Sequence, residues 1–221
     1  MGKRFSVDND DIPEVEKPVK LISITPDSEK LVAYCARVSS NQQDNPSISN
    51  LLRYCIKHKH WSIFETAYLT VEINTSRAIS AQILRHRSFT FQEFSQRYAE
   101  VPDFVTYKAR RQDKKNRQAS IDDMSIEDRH WFSVAQDKVQ TLTASLYLDA
   151  LDKGIAKEQA RFLLPMSSKT KIYMTGNIRS WIHYLELRTG IETQKEHRDI
   201  AREIKKIFKE ELPIISGALE W

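Results

Sequence analysis

"AYLTVEINTSRAISAQILRHRSFTFQEFSQRY", residues 67–98, changes period twice in one run. Residues 67–73 alternate apolar and polar side chains, the pattern of a strand with one buried face. Thr75 or Ser76 can then cap a helix over "RAISAQILRHR", where Ala78, Ile79, Ile83 and Leu84 recur at helical spacing. From Phe89 a period of two returns, and an extended segment there sends Glu93, Ser95 and Arg97 to one side.

Working outward, Val19 to Ile24 alternate as a second strand, and Asp27 or Ser28 can cap a helix reaching Val38. "NQQDNP" (41–46) is a loop, and Ser47 starts a further helix through His58. Downstream come a long helix over about 126–152 ending near Gly154, and a shorter one stopped by Pro165. A strand at 169–175 precedes a helix at 177–189 that Gly190 ends, and an amphipathic helix runs from Thr193 to Leu212, stopped by Pro213. Strands and helices mix without a repeated βα unit. The expected fold is α+β, a mixed or antiparallel twisted sheet flanked by helices, in one domain over 19–215. Residues 1–18 are expected to be a flexible leader, and 107–125 a charged, mobile surface insertion.

Composition narrows the function. A net charge of +4 over 221 residues admits anionic ligands without demanding nucleic acid. The basic run "KARRQDKKNR" (108–117) fits either a nucleic-acid face or a solvated loop. Cys35 and Cys55 make neither a disulfide framework nor a zinc pattern, so reduced thiols and a cytoplasmic setting are expected. His58 and His60 lack further ligands at a suitable spacing, so no metal is expected. No apolar run has the length of a membrane span, and the polar, acidic N-terminal stretch has no signal-peptide core. The five glycines form neither of the common phosphate-binding glycine loops, which leaves phosphate to arginines, hydroxyls and helix N-termini.

Spacing suggests where such chemistry gathers. Gln82 shares a helix face with Arg85 and His86, while Arg87 suits a helix end. A hydroxyl at Ser95 beside the Arg97 fork makes a seat for phosphate or carboxylate, and Glu93 can hold a sugar hydroxyl. The same spacing fits an edge strand with solvated charges equally well. Asn177 and Arg188 stand eleven apart, close to three turns, on one helix face. Placed before Gly190, Arg188 also reads as an ordinary helix-end cation.

"RHR" followed by seven residues and a serine resembles the signature of the flavin-dependent thymidylate synthases, the ThyX family. "ARVS" (36–39), "HWSIFE" (60–65), "ARFLLP" (160–165) and "NIRSWIHYLELR" (177–188) resemble further family segments in the same order. Thr90, Gln92, His183 and Glu192 depart from its commonest residues.

The resemblance implies conversion of dUMP to dTMP. Methylenetetrahydrofolate would donate the carbon, NADPH would reduce a bound FAD, the flavin would supply the hydride, and no cysteine nucleophile would be needed. It implies that Arg188 is catalytic, activating the uracil ring. It implies dUMP contacts from Gln82, Arg85, Glu93, Ser95, Gln96, Arg97, Arg161 and Arg188. FAD contacts would come from Ser39, His60, Ser62, Glu65, Arg85, His86, Arg87, Ser88, Glu93, Asn177, Arg179 and His183. A homotetramer with active sites shared between subunits is implied, with neither membrane nor nucleic acid as partner. The rival classes are a nucleic-acid-binding protein, a different flavoprotein and a purely structural oligomer.

Overall fold

A computed structural model describes residues 18–100 and 103–221. The leader expected at 1–18 lies outside the described residues except for Pro18. The fold is α+β. Strands β1 (Val19–Ile24), β2 (Tyr68–Ser76), β3 (Thr90–Glu93) and β6 (Lys169–Asn177) form one sheet in the order β1-β2-β6-β3. Each pairing in it is antiparallel. The short strands β4 (Arg111–Gln112) and β5 (Ser120–Ile121) make a separate hairpin inside the 107–125 segment.

The helices are α1 (Ser28–Ala36), α2 (Ser49–Lys57), α3 (Arg77–Ile83), α4 (Ile126–Asp152), α5 (Lys157–Ala160), α6 (Ile178–Arg188), α7 (Lys195–Glu211) and α8 (Pro213–Ala218). Two 3-10 turns, Trp61–Glu65 and Arg161–Leu163, complete the elements. Pro213 ends α7 as expected and also opens α8, where its fixed φ suits a first helical position. Gly154 closes α4 at φ 78°: its N–H bonds Leu151 O at 2.8 Å, and Ile155 N–H bonds Ala150 O at 2.9 Å.

The central pair β2–β6 is longer than the apolar runs suggest, because it pairs continuously from Tyr68↔Asn177 to Ser76↔Lys169. Alternation buries Leu69, Val71 and Ile73 on β2 and Ile172 and Met174 on β6. Helices α6 and α7 cover that face with Trp181, Tyr184, Leu185, Ile200, Ile204 and Phe208, all buried. Fully burying each such side chain contributes about 1.5–3 kcal/mol, so packing rather than helix propensity holds α6 in place. Trp181 Nε1 also donates to Leu69 O at 2.9 Å, which satisfies its buried N–H.

Two expectations about 77–98 need correction. The helix that should have carried Arg85, His86 and Arg87 ends at Ile83, so the triplet lies in the following turn. The cause is Phe89. Its ring is buried edge-on to Trp181, with centroids 4.7 Å apart, and lies over Gly176, where a Cβ would overlap it. Continuing the helix would carry that ring away from the core. Period-two geometry also stops early, since β3 ends at Glu93 and Ser95–Arg97 fall in a turn rather than on one strand face.

Candidate active site

Strand β6 runs directly into α6, and Asn177 is both the last strand residue and the helix N-cap. Its Oδ1 accepts from Ser180 N–H at 2.8 Å, which satisfies one of the otherwise orphan N–H groups. Around this helix start lies a cleft of about 600 Å³ lined by Trp61, Glu65, Ser88, Asn177, Arg179, Ser180, Ile182, His183 and Glu186. Five of the flavin-side residues expected from sequence, Glu65, Ser88, Asn177, Arg179 and His183, therefore meet there. Glu65 is ion-paired with Arg179, joining the 3-10 turn after α2 to α6 across 114 residues. His60 and Ser62 flank Trp61 on that same turn and are exposed. Ser39 lies exposed in the turn after α1, outside the cleft lining.

The other end of α6 holds a second group. Arg188 Nε donates to His86 Nε2 at 2.9 Å. Burial first, then the charges of Arg188, His183 and Arg85, lower the His86 pKa from 6.5 to about 4, which keeps its ring neutral and able to accept. Tyr184 stands edge-on to His86, and its hydroxyl meets His197 Nε2 at 3.0 Å. Arg85 and Arg87 are exposed with no side-chain partner among the described residues. Gln82 reaches a different neighbour, donating to Gln194 Oε1 at 2.6 Å.

Glu93 is not a solvated edge charge, although β3 is the edge strand. Arg77 pairs with it at 2.7 Å, Thr170 donates to it at 3.0 Å, and Ser80 donates as well. Sequence reasoning missed Arg77. One signal was available: a cation as the first residue of a helix opposes the helix dipole and calls for an acidic partner.

Ser95, Gln96, Arg97 and Arg161 form the remaining group. Arg97 lies 3.5 Å from the Glu158 carboxylate, and Arg161 Nε donates to the Glu158 carbonyl at 3.2 Å. Gln96 is buried and Arg97 is exposed. Asn177 and Arg188 are separated by about 16 Å of helix at 1.5 Å per residue. A single copy of the chain therefore does not gather all these residues into one cleft.

Three of the six cations in the basic run are engaged within the molecule. Lys108 pairs with Asp122 at 2.8 Å, Arg111 with Asp123 at 2.6 Å, and Arg110 with Glu196 at 2.5 Å. Among the described residues no three His, Cys, Asp or Glu side chains cluster as for a metal, and no helix is long and apolar enough to cross a membrane.

These features define a class before any comparison: an α+β protein whose antiparallel sheet feeds a helix start, bearing Arg179 and His183, into a ligand-sized cleft. The chain matches the family model "Thymidylate synthase complementing protein" over residues 20–214, and it belongs to that family. It is 55% identical over 212 residues to the probable flavin-dependent thymidylate synthase of Paramecium bursaria Chlorella virus 1, covering 91% of this chain and 98% of that protein. It is 54% identical over 193 residues to the flavin-dependent thymidylate synthase of Synechocystis sp., covering 87% and 90%. Among solved structures, the UMP/dUMP methylase PolB from Streptomyces cacaoi bound with 5-Br dUMP superposes with a TM-score of 0.82 at 27% identity, covering 91% of this chain and 93% of that one.

Proposed function

We propose that this chain is a flavin-dependent thymidylate synthase that methylates dUMP to dTMP. Membership of the family, with relatives of that name more than half identical over nearly the whole chain, is the observation that carries the reading. Methylenetetrahydrofolate is the carbon donor and NADPH the reductant in this proposal.

The residues fit FAD. The cleft at the α6 start has the size of a ring-system pocket, and Arg179 stands at the helix N-terminus, where a phosphate is favourable. Arg85 and Arg87 offer two further guanidinium groups with no internal partner among the described residues. When bound, the flavin supplies the hydride. Glu65, Ser88, Asn177, Arg179 and His183 hold it, with Ser39, His60 and Ser62 contributing at the periphery.

Methylation requires negative charge to build on the N3–C4–O4 side of uracil. Arg188 stabilises that charge, because a guanidinium keeps its proton at any working pH. With Nε held by His86, its two terminal nitrogens have no partner among the described residues and can face the base. Glu93, Gln82, Ser95, Gln96, Arg97 and Arg161 bind the rest of the nucleotide, with Arg97 and Arg161 nearest the phosphate. Both arginines now lean on Glu158, an acid that a dianionic phosphate would displace from Arg97.

The lining of the cleft includes neither Arg97 nor Arg161, which supports active sites assembled between copies, in a homotetramer. The exposed Ile126, Trp131 and Leu142 on α4, with Phe162 nearby, give such an assembly apolar surface to cover. Unpaired thiols at Cys35 and Cys55 suit a cytoplasmic enzyme.

Anaerobic incubation of the purified protein with dUMP, methylenetetrahydrofolate and NADPH tests the proposal. A flavin absorption spectrum and dTMP are expected. A flavin spectrum without dTMP would assign another flavoprotein activity. A protein inactive even after added FAD would refute the reading.

A further inference from the structure

Every exposed residue from Arg53 to His60 is a cation or an aromatic ring. Arg53, Tyr54, Lys57 and His58 lie on the outer side of α2, while Leu52 and Cys55 face the core, and Lys59 and His60 follow directly. Tyr54 is 53% exposed, yet its ring is stacked on His58 with centroids 4.0 Å apart. The His60 ring meets Tyr54 edge-on at 5.8 Å. Residues 45–64 contain no aspartate or glutamate. Arg53, Lys57 and Lys59 have no ion-pair partner among the described residues.

The way α2 ends sets this group beside the cleft. Lys59 N–H bonds Ile56 O at 3.0 Å and His60 N–H bonds Cys55 O at 2.8 Å, the paired bonds of a Schellman turn. Lys59 is left-handed there, at φ 59°. Glycine is the usual residue in that place, because a Cβ disfavours the conformation. A lysine gives up some stability and adds a third cation next to the rings. The turn leads at once into Trp61, which lines the cleft. The helix dipole accounts for a cation at Lys57. It accounts neither for exposed stacked rings nor for lysine where glycine fits better.

We infer that Arg53, Lys57 and Lys59, with the Tyr54–His58 stack, form a subsite for the p-aminobenzoyl-oligo-γ-glutamyl tail of the folate carbon donor. This rests on the proposed reaction: the reacting end of the donor goes in toward flavin and nucleotide, so its tail leaves past the rim of the cleft. That tail is a flat aryl group followed by a row of carboxylates. The aryl group lies on the exposed rings, and the carboxylates pair with the cations. Successive α-carboxylates of an extended γ-glutamyl chain stand about 6 Å apart, from the bond lengths between them. Arg53 and Lys57 are separated by about 6 Å of helix rise. Single-stranded nucleic acid also combines rings with anions, but its binding sites track several nucleotides along a groove. This patch covers only about two helical turns and adjoins a small-molecule cleft.

The test compares KM for monoglutamyl and pentaglutamyl methylenetetrahydrofolate, using the FAD-loaded full chain with saturating dUMP and NADPH. Wild type is expected to favour the pentaglutamyl donor about tenfold, the combined weight of two or three exposed ion pairs. Raising the ionic strength should shrink that preference. Lys57→Gln with Lys59→Gln should bring the ratio close to one, and Lys57→Glu with Lys59→Glu should invert it. These side chains are exposed, and the flavin-to-protein absorbance ratio checks that each variant is folded. Tyr54→Leu should raise KM for both donors alike, since both carry the aryl group. Equal KM values in wild type, or a preference that survives both lysine pairs, would overturn the inference. So would tight binding of a ten-residue oligothymidylate that the lysine variants lose while the donors bind equally. In those cases dTMP still forms and the proposed function stands. A protein that makes no dTMP from either donor would overturn that function and this subsite with it.

Discussion

Arg188 and His86, 102 positions apart in sequence, are joined by a 2.9 Å hydrogen bond in which the guanidinium Nε donates to a neutral imidazole Nε2. That bond makes the middle residue of the Arg85–Arg87 triplet a support for the last residue of α6. It also requires His86 to stay unprotonated. His197, enclosed behind Tyr184, is lowered further, to about 3, by burial and then by the charges of Arg188 and His86.

Acid should therefore destabilise the fold well before carboxylates titrate. Both histidines have folded values below the ordinary 6.5, so the unfolded chain takes up protons first as pH falls. Stability is full above about pH 6.5 and is lost progressively toward the folded values. The slope reaches about 1.4 kcal/mol per pH unit for a fully differential histidine, and less for the half-exposed His86. His86 is faced by Arg188, His183, Arg85 and Tyr184, and His197 by Tyr184, Arg188 and His86. Thermal melts between pH 7 and pH 5 should show a falling Tm that His197→Gln makes shallower. A Tm independent of pH over that range would contradict the linkage.

Arg188→Ala is expected to lower single-turnover dTMP formation about 10²–10³-fold, the weight of one preorganised charge-stabilising group, while the flavin stays bound. Arg188→Lys should recover little, because an ammonium cannot donate to His86 and present a planar fork at once. The flavin-to-protein absorbance ratio separates lost chemistry from lost cofactor. Near-normal turnover in Arg188→Ala would remove Arg188 from the mechanism.

Asn177 has two separable duties, capping α6 and facing the cleft. Asn177→Asp keeps an oxygen for the Ser180 N–H and suits the helix dipole, so stability should hold. The added charge should nevertheless weaken FAD retention. Asn177→Ala should cost about 1 kcal/mol in urea unfolding. If the Asp variant keeps wild-type flavin content, the amide has no cofactor role.

Removing the Arg77 charge strands Glu93 among Ser80 and Thr170. Arg77→Met should cost about 1–3 kcal/mol in urea unfolding and raise the KM for dUMP, with Arg77→Lys intermediate. An unchanged KM beside lost stability would confine the pair to the scaffold.

Much of this molecule follows from short-range pattern. Alternation along 67–73, the strand at 169–175 and the stop near Gly154 are set by neighbours within a few residues, so sequence alone determined them. The motif-bearing residues around Asn177 and the Arg85–Arg87 triplet were legible through their resemblance to family segments, not through spacing, which left the alternatives open. Where the chain leaves α3 was not, because Phe89 ends that helix by packing over Gly176, 87 positions away. Nor could spacing show that Arg77 holds Glu93, that His86 holds Arg188, or that Gln82 donates to Gln194. Each of these links pairs groups whose charge or hydrogen-bonding need is local but whose partner is chosen by how the helices pack on the sheet. That choice depends on the whole core at once, and only the tertiary structure makes it.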